Sequence, residues 1–168
     1  MTQSRSFLPK FLTAVAIAGT FILATRVMAG DAKGTLTLPK GTVTVKFAYL
    51  VKGPDAFDTK KIIRKIILSP SDLSAKIQDC KVMGCVDGEV TEGMSVDLDG
   101  GPRLNYWVVL NGGLVQHSGT EEIAALKTTA DDEKHLAGKL SFDDATSGGP
   151  KVDVDFDATF VKEFTQAR

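Results

Sequence analysis

The chain has 168 residues, 43% of them apolar, with 20 basic and 21 acidic side chains and a formal charge of −1. That length suits one domain with a substantial core and leaves little for a second. Balanced charge without clustered Lys and Arg excludes the basic surface that nucleic acid or anionic lipid rewards, so neither is expected as a partner.

The first ten residues carry Arg5 and Lys10 and no acid, and an apolar run of about 14 residues, 11–24, follows. Val27-Met28-Ala29 then places small residues at −3 and −1 of a cleavage before Gly30, the layout of a secretory signal peptide. Spanning a bilayer takes roughly 20 apolar residues, so the run is too short for an anchor. Residues 1–29 are therefore expected to be removed, leaving 30–168 as a single β-rich domain with no membrane span. The mature chain keeps 17 basic against 21 acidic residues, a charge of −4. Without a cysteine at the cleavage site or a twin-arginine pair, general export to the bacterial periplasm or beyond is the expected route.

Beyond residue 30 the apolar residues alternate at period two, and long helical periodicity is nearly absent. Residues 34–38 and 42–51 read as strands joined at Pro39-Lys40-Gly41. Val43, Val45, Phe47, Tyr49 and Val51 are expected on one face of the second strand. The run KKIIRKIIL at 60–68 fits a helical face or a strand, and its β-branched content and the Ser69-Pro70 stop favour strand. Ser69 as N-cap, Pro70 at the first helical position and Asp72 in the first turn predict a helix over 70–79. Residues 89–98 and 103–110 read as further strands, separated by Asp99-Gly100-Gly101-Pro102. Asn111-Gly112-Gly113 is a hairpin turn leading into Leu114-Val115-Gln116, and 121–128 is read as strand. Ala130-Asp131-Asp132-Glu133 reads as a polar turn. Leu136 to Phe142 and Val152 to Phe160 form the clearest alternating pair, linked at Ser147-Gly148-Gly149-Pro150. The expected fold is mainly β: an antiparallel β-sandwich or partly closed barrel of about eight or nine strands with one short helix.

Cys80 and Cys85 are the only cysteines, spaced C-x4-C. In an exported chain they are expected to form a disulfide that fixes the exit of the helix into the next strand. Zinc would need His117 and His135 as well, and redox chemistry normally uses C-x-x-C. Asp153, Asp155 and Asp157 line one face of the last strand. They are the calcium candidates through hard oxygen ligands, weighed against a solvated outer face offset by Lys139. Asp97-Leu98-Asp99-Gly100 resembles the start of a calcium loop but lacks its closing glutamate and reads as a turn. His135, beside Asp131, Asp132 and Glu133, reads as a turn residue. His117 beside Ser118 invites a Ser/His/Asp triad, but no nucleophile elbow accompanies it and no catalytic residue is assigned. Tyr106 and Trp107 must point to opposite faces of one strand. Whichever is exposed, together with His117, is the candidate contact for a ligand or partner.

The export signal, the strand Gly34-Thr35-Leu36-Thr37-Leu38, the Ser69-Pro70 break and the closing strand from Lys151 to Phe160 together resemble small exported bacterial β-rich proteins of unknown function. That resemblance implies no activity, cofactor or site residue. The functional expectation is a non-catalytic envelope module that binds a small apolar ligand or an envelope protein. A structural or self-associating envelope protein is the alternative, and a hydrolase comes third. No cofactor is expected.

Overall fold

The structure, a computed structural model, describes residues 29–168. The export signal expected over residues 1–29 lies, but for Ala29, outside the described residues. Among the described residues there are nine strands: β1 (Gly30–Leu38), β2 (Gly41–Pro54), β3 (Ile62–Ser69), β4 (Gly93–Asp97), β5 (Arg103–Leu110), β6 (Val115–Glu122), β7 (Leu126–Asp131), β8 (His135–Asp143) and β9 (Lys151–Glu163). Two short helices, α1 (Ser74–Asp79) and α2 (Met83–Glu89), separate β3 from β4. The strands form one sheet in the order β6-β5-β4-β3-β2-β1-β9-β8-β7. It is the partly closed barrel of the two expected architectures, an antiparallel sheet curled on itself.

One parallel pairing tightens the curl. β1 lies between β2 and β9 from Leu38 back to Gly30, and beyond it Tyr49 to Lys52 of β2 pairs directly with Thr159 to Glu163 of β9. Strands from both ends of the sheet share one inner core, including Leu36, Leu50, Ile66, Met94, Val108, Leu140 and Val154. Every buried residue of that core is 7% exposed or less. Its side chains fill the barrel as in other small barrels. Arg64 of β3 bonds both Asp99 and Asp131 of β7, tying the two halves together at the barrel mouth.

A second cluster lies outside the barrel. Tyr49, Val51, Ile63 and Ile67 pack against Leu73, Ile77, Met83 and Val86 of the helical segment and against Val161 and Phe164. The middle of β3 is therefore buried on both faces, which is why 60–68 is apolar at consecutive positions rather than alternating.

Several sequence expectations are corrected. The helix begins at Ser74 rather than 70. Ser69 ends β3, and its Oγ accepts from Ser71 N, while Asp72 Oδ1 accepts from Ser74 N at 2.8 Å, so two local turns use up the residues expected to start it. Residues 83–89 form a second helix, so β4 begins at Gly93 rather than at 89. The stretch 121–128 is broken by a 3-10 turn at Ile123–Ala125, and Ala130 and Asp131 of the expected turn belong to β7. On β2 the inner face passes from Val43 and Val45 to Ala48 and Leu50, with Phe47, Tyr49 and Val51 outside. There β1 advances three residues, Asp31 to Gly34, while β2 advances two, Phe47 to Val45, and Gly34 takes a φ of 148°. A bulge of this kind turns a strand without breaking the sheet.

Candidate functional site

Alternation along β5 puts Tyr106 and Trp107 on opposite faces. Tyr106 is 5% exposed inside the barrel, and Trp107 is 44% exposed outside it. Trp107 pairs with Ser95 on β4 and Ser118 on β6. The outer face of β3 to β6 forms the floor of an open groove of about 1310 Å³, walled by α2. Lys65, Ser95, Asp97, Trp107 and Ser118 line the floor, Asp87 and Val90 the wall, and Phe57 and Gly113 the ends.

α2 has two glycines and no side-chain N-cap, so its own propensity is poor. Tertiary contacts hold it. The backbone N–H groups of Met83 and Gly84, unpartnered within any helix start, donate to the carbonyls of Gln166 and Ala167, each at 2.9 Å. The Cys80–Cys85 disulfide joins the end of α1 to the first turn of α2. It thus links helix to helix rather than helix to strand. Lys162 Nζ donates to the carbonyls of Gln78 and Cys80 at 2.6 Å each, satisfying the end of α1. Tyr49 Oη donates to Asp72 Oδ1 and accepts from Leu73 N, and burial pushes its phenol up to about 12.

From the sheet side, Lys65 reaches α2. Its side chain is 8% exposed, and its Nζ donates to Asp87 Oδ2 at 2.6 Å while standing 3.3 Å from Asp97 Oδ1. Asp97 Oδ1 and Asp87 Oδ1 are both shut off from solvent and meet no hydrogen-bond donor among the described residues. The Asp97 contact is thus an ion pair without hydrogen-bond geometry. Burial lifts the Asp97 carboxyl above its ordinary value; Lys65 pulls against this, and Asp87 and Asp55 add to the rise. One lysine is thus set among more carboxylate than it neutralises.

The other candidates fall elsewhere. His117 is on the inner face of β6, its ring stacked 6.1 Å from Tyr106 and beside Gly149. Tyr106 packs on Phe142 and donates its hydroxyl to Asp144 Oδ2 at 3.0 Å; burial and that carboxylate raise its pKa above the ordinary value. Tyr106 and His117 therefore share one environment, and Trp107 belongs to another. Asp153, Asp155 and Asp157 form the expected outer stripe of β9. Lys139 Nζ lies 2.6 Å from Asp153 and 4.0 Å from Asp155, and His135 Nε2 lies 2.7 Å from Asp157. No group of three potential metal ligands occurs among the described residues. Asp99 of the calcium-like tetrapeptide is held by Arg64, whose hydrogen bond lowers its pKa.

Sequence reading missed Lys65 and Asp87, and took Asp97 only as part of a turn. A signal existed for Lys65: it shares a strand face with Ile63 and Ile67, and a cation between two apolar residues at period two marks a buried charge in need of a partner. Asp87 carried none, because α2 was not anticipated. Comparison with family models, curated proteins and solved structures finds no match to this chain.

Proposed function

We propose that the protein is a non-catalytic binding module of the cell envelope, whose working surface is the groove between α2 and the outer face of β3 to β6. The observation that carries this reading is the indole of Trp107, an amphipathic ring left 44% exposed on the floor of that groove. Large side chains in concave, mixed-polarity surfaces are where binding energy concentrates. Support for export comes from the Arg5/Lys10, apolar-run and Val27-Met28-Ala29 pattern and from the disulfide, at home in an oxidising compartment. No helix among the described residues is long and apolar enough to cross a membrane.

Trp107 is the only tryptophan in the chain, so its emission reports the groove alone. Titrating the protein with fractionated envelope extract is expected to shift that emission saturably and raise Tm, and Trp107→Ala is expected to abolish the Tm response. If no fraction moves either signal, the reading is overturned.

Self-association is the second reading, favoured by the two edges of the sheet, β6 and β7. Edge strands offer unpaired backbone groups to another chain. Sedimentation that stays monomeric across concentrations removes it.

A further inference from the structure

The two edges of the sheet are unlike, and the difference carries the self-association reading one step further; the step rests on that second reading and leaves the groove reading untouched. β7 is guarded. It carries Lys127, and its ladder to β8 slips between Thr128 and Ala130, a bulge of the kind that turns an edge away from further pairing. β6 has none of these devices. It pairs with β5 in unbroken register from Val115 to Glu122, holds no proline and no lysine, and has no buried residue. Its other side faces no strand among the described residues. Exposed apolar side chains gather at the same edge: Leu114, 89% exposed, stands just before β6, Ile123 just after it, and Trp107 beside Ser118 on β5. An open ladder flanked by apolar side chains calls for a polypeptide strand.

The strand's own side chains select which polypeptide. Glu121 and Glu122 close β6 at one end, and a parallel copy would set these acids beside their equals. An antiparallel copy sends them to opposite ends. A two-fold axis normal to the sheet keeps both outer faces on one side, so only residues of equal parity can oppose each other. With the axis at Gly119, Ser118 opposes Thr120 of the other copy, Gln116 opposes Glu122 and His117 opposes Glu121, so hydroxyl meets hydroxyl and each carboxylate meets a hydrogen-bonding partner. Ile123 of each copy then falls against Val115 and Leu114 of the other. Moving the axis to Ser118 sets Glu121 against Val115 and Glu122 against Leu114, and moving it to Glu121 sets that acid against itself. We infer that a second copy of this chain pairs antiparallel along β6 with the axis at Gly119, closing a dimer and leaving β7 free.

The test is sedimentation of the purified mature protein across a hundredfold range reaching several hundred micromolar, with hydrogen exchange at both ends of the range. A reversible dimer and no larger species are expected, with concentration-dependent protection confined to β6 and its flanks. Ser118→Lys with Thr120→Lys opposes two lysines twice and is expected to weaken the dimer at least tenfold. Ser118→Lys with Thr120→Glu opposes lysine to glutamate twice and is expected to tighten it at least threefold, whereas an axis at Ser118 or Thr120 would make the same change repulsive. Circular dichroism checks that both variants are folded. A monomer at every concentration overturns the inference and the self-association reading together. A dimer that neither variant changes, one weakened by both, or one whose protection lies outside β6 overturns the β6 pairing alone and leaves self-association standing. Masses that grow past the dimer with protection of β7 as well show head-to-tail pairing of unlike edges and overturn the closed dimer.

Discussion

Lys65 on β3 and Asp87 on α2 meet at 2.6 Å across the boundary between the sheet and the helical segment. Lys65→Met is expected to cost about 3 kcal/mol, the low end for removing one partner of a buried pair, because Asp87 and Asp97 keep 24% and 25% of their side chains exposed. The loss comes from two carboxylates left facing each other without a cation. Replacing all three, as Lys65→Met with Asp87→Asn and Asp97→Asn, is expected to recover most of it in urea melts. A triple variant no more stable than Lys65→Met would show that the cost lies in packing of the lysine stem.

Asp97 gives the pH dependence of this cluster. Its folded pKa is raised, by burial first and by Asp87 and Asp55 after it. A raised group contributes stability that is fully present below the unfolded value, near ~3.9, and lost as pH rises through the folded value. Asp97→Asn lacks that loss. Its Tm is expected to exceed the wild-type Tm at pH 7 and to converge on it as pH falls towards 4. A variant less stable at pH 7, with a gap that closes on acidification, would mean that attraction to Lys65 outweighs burial.

Reduction of Cys80–Cys85 is expected to act locally. The bridge closes a loop of sequence separation 5, and so short a loop contributes about 2 kcal/mol by the loop-entropy relation. For a domain of this size that is roughly 8 °C in Tm. Hydrogen exchange after reduction is expected to rise over α1 and α2 and to stay unchanged in β1 and β8, which hold no part of the bridge. Faster exchange throughout the barrel would show that the helical segment and the sheet unfold as one unit.

The strands were legible because period-two alternation reports which face is buried without knowledge of the partner. β5 occupies the residues expected for it, and the opposition of Tyr106 and Trp107 follows from parity alone. α2 was not legible. Its sequence, MGCVDGE, has no helical signature, and the groups that satisfy its first turn come from Gln166 and Ala167, some 80 positions away. The groove inherits that opacity, since its wall is α2. The face change on β2 was hidden for a related reason: Tyr49, Leu50 and Val51 are all fully buried, so the apolar pattern there carries no phase. Nor did the Ser69-Pro70 start hold, because a capping hydroxyl serves a tight turn as readily as a helix.

Tyr106 and Gly119 form a lock at the inner end of β5 and β6. They are directly paired, and a Cβ on Gly119 would lie 2.6 Å from Tyr106 Oη and 2.8 Å from its Cζ. The ring thus lies across the glycine, where it covers the strand and aims its hydroxyl at Asp144. Gly119→Ala is expected to cost about 2 kcal/mol, within the range for overpacking, because the ring is also fixed by Phe142 and cannot simply swing away. In a Tyr106→Ala background the same change is expected to cost close to nothing, giving a coupling of about 2 kcal/mol in a double-mutant cycle. Tyr106→Phe keeps the ring and loses the hydrogen bond to a part-buried carboxylate, for about 1 kcal/mol. None of these changes is expected to alter Trp107 emission, because the two aromatic side chains lie on opposite faces of β5. Additive costs for Gly119→Ala and Tyr106→Ala would place the strain elsewhere on β6, and a shift in Trp107 emission would show that the barrel interior and the groove are coupled through β5.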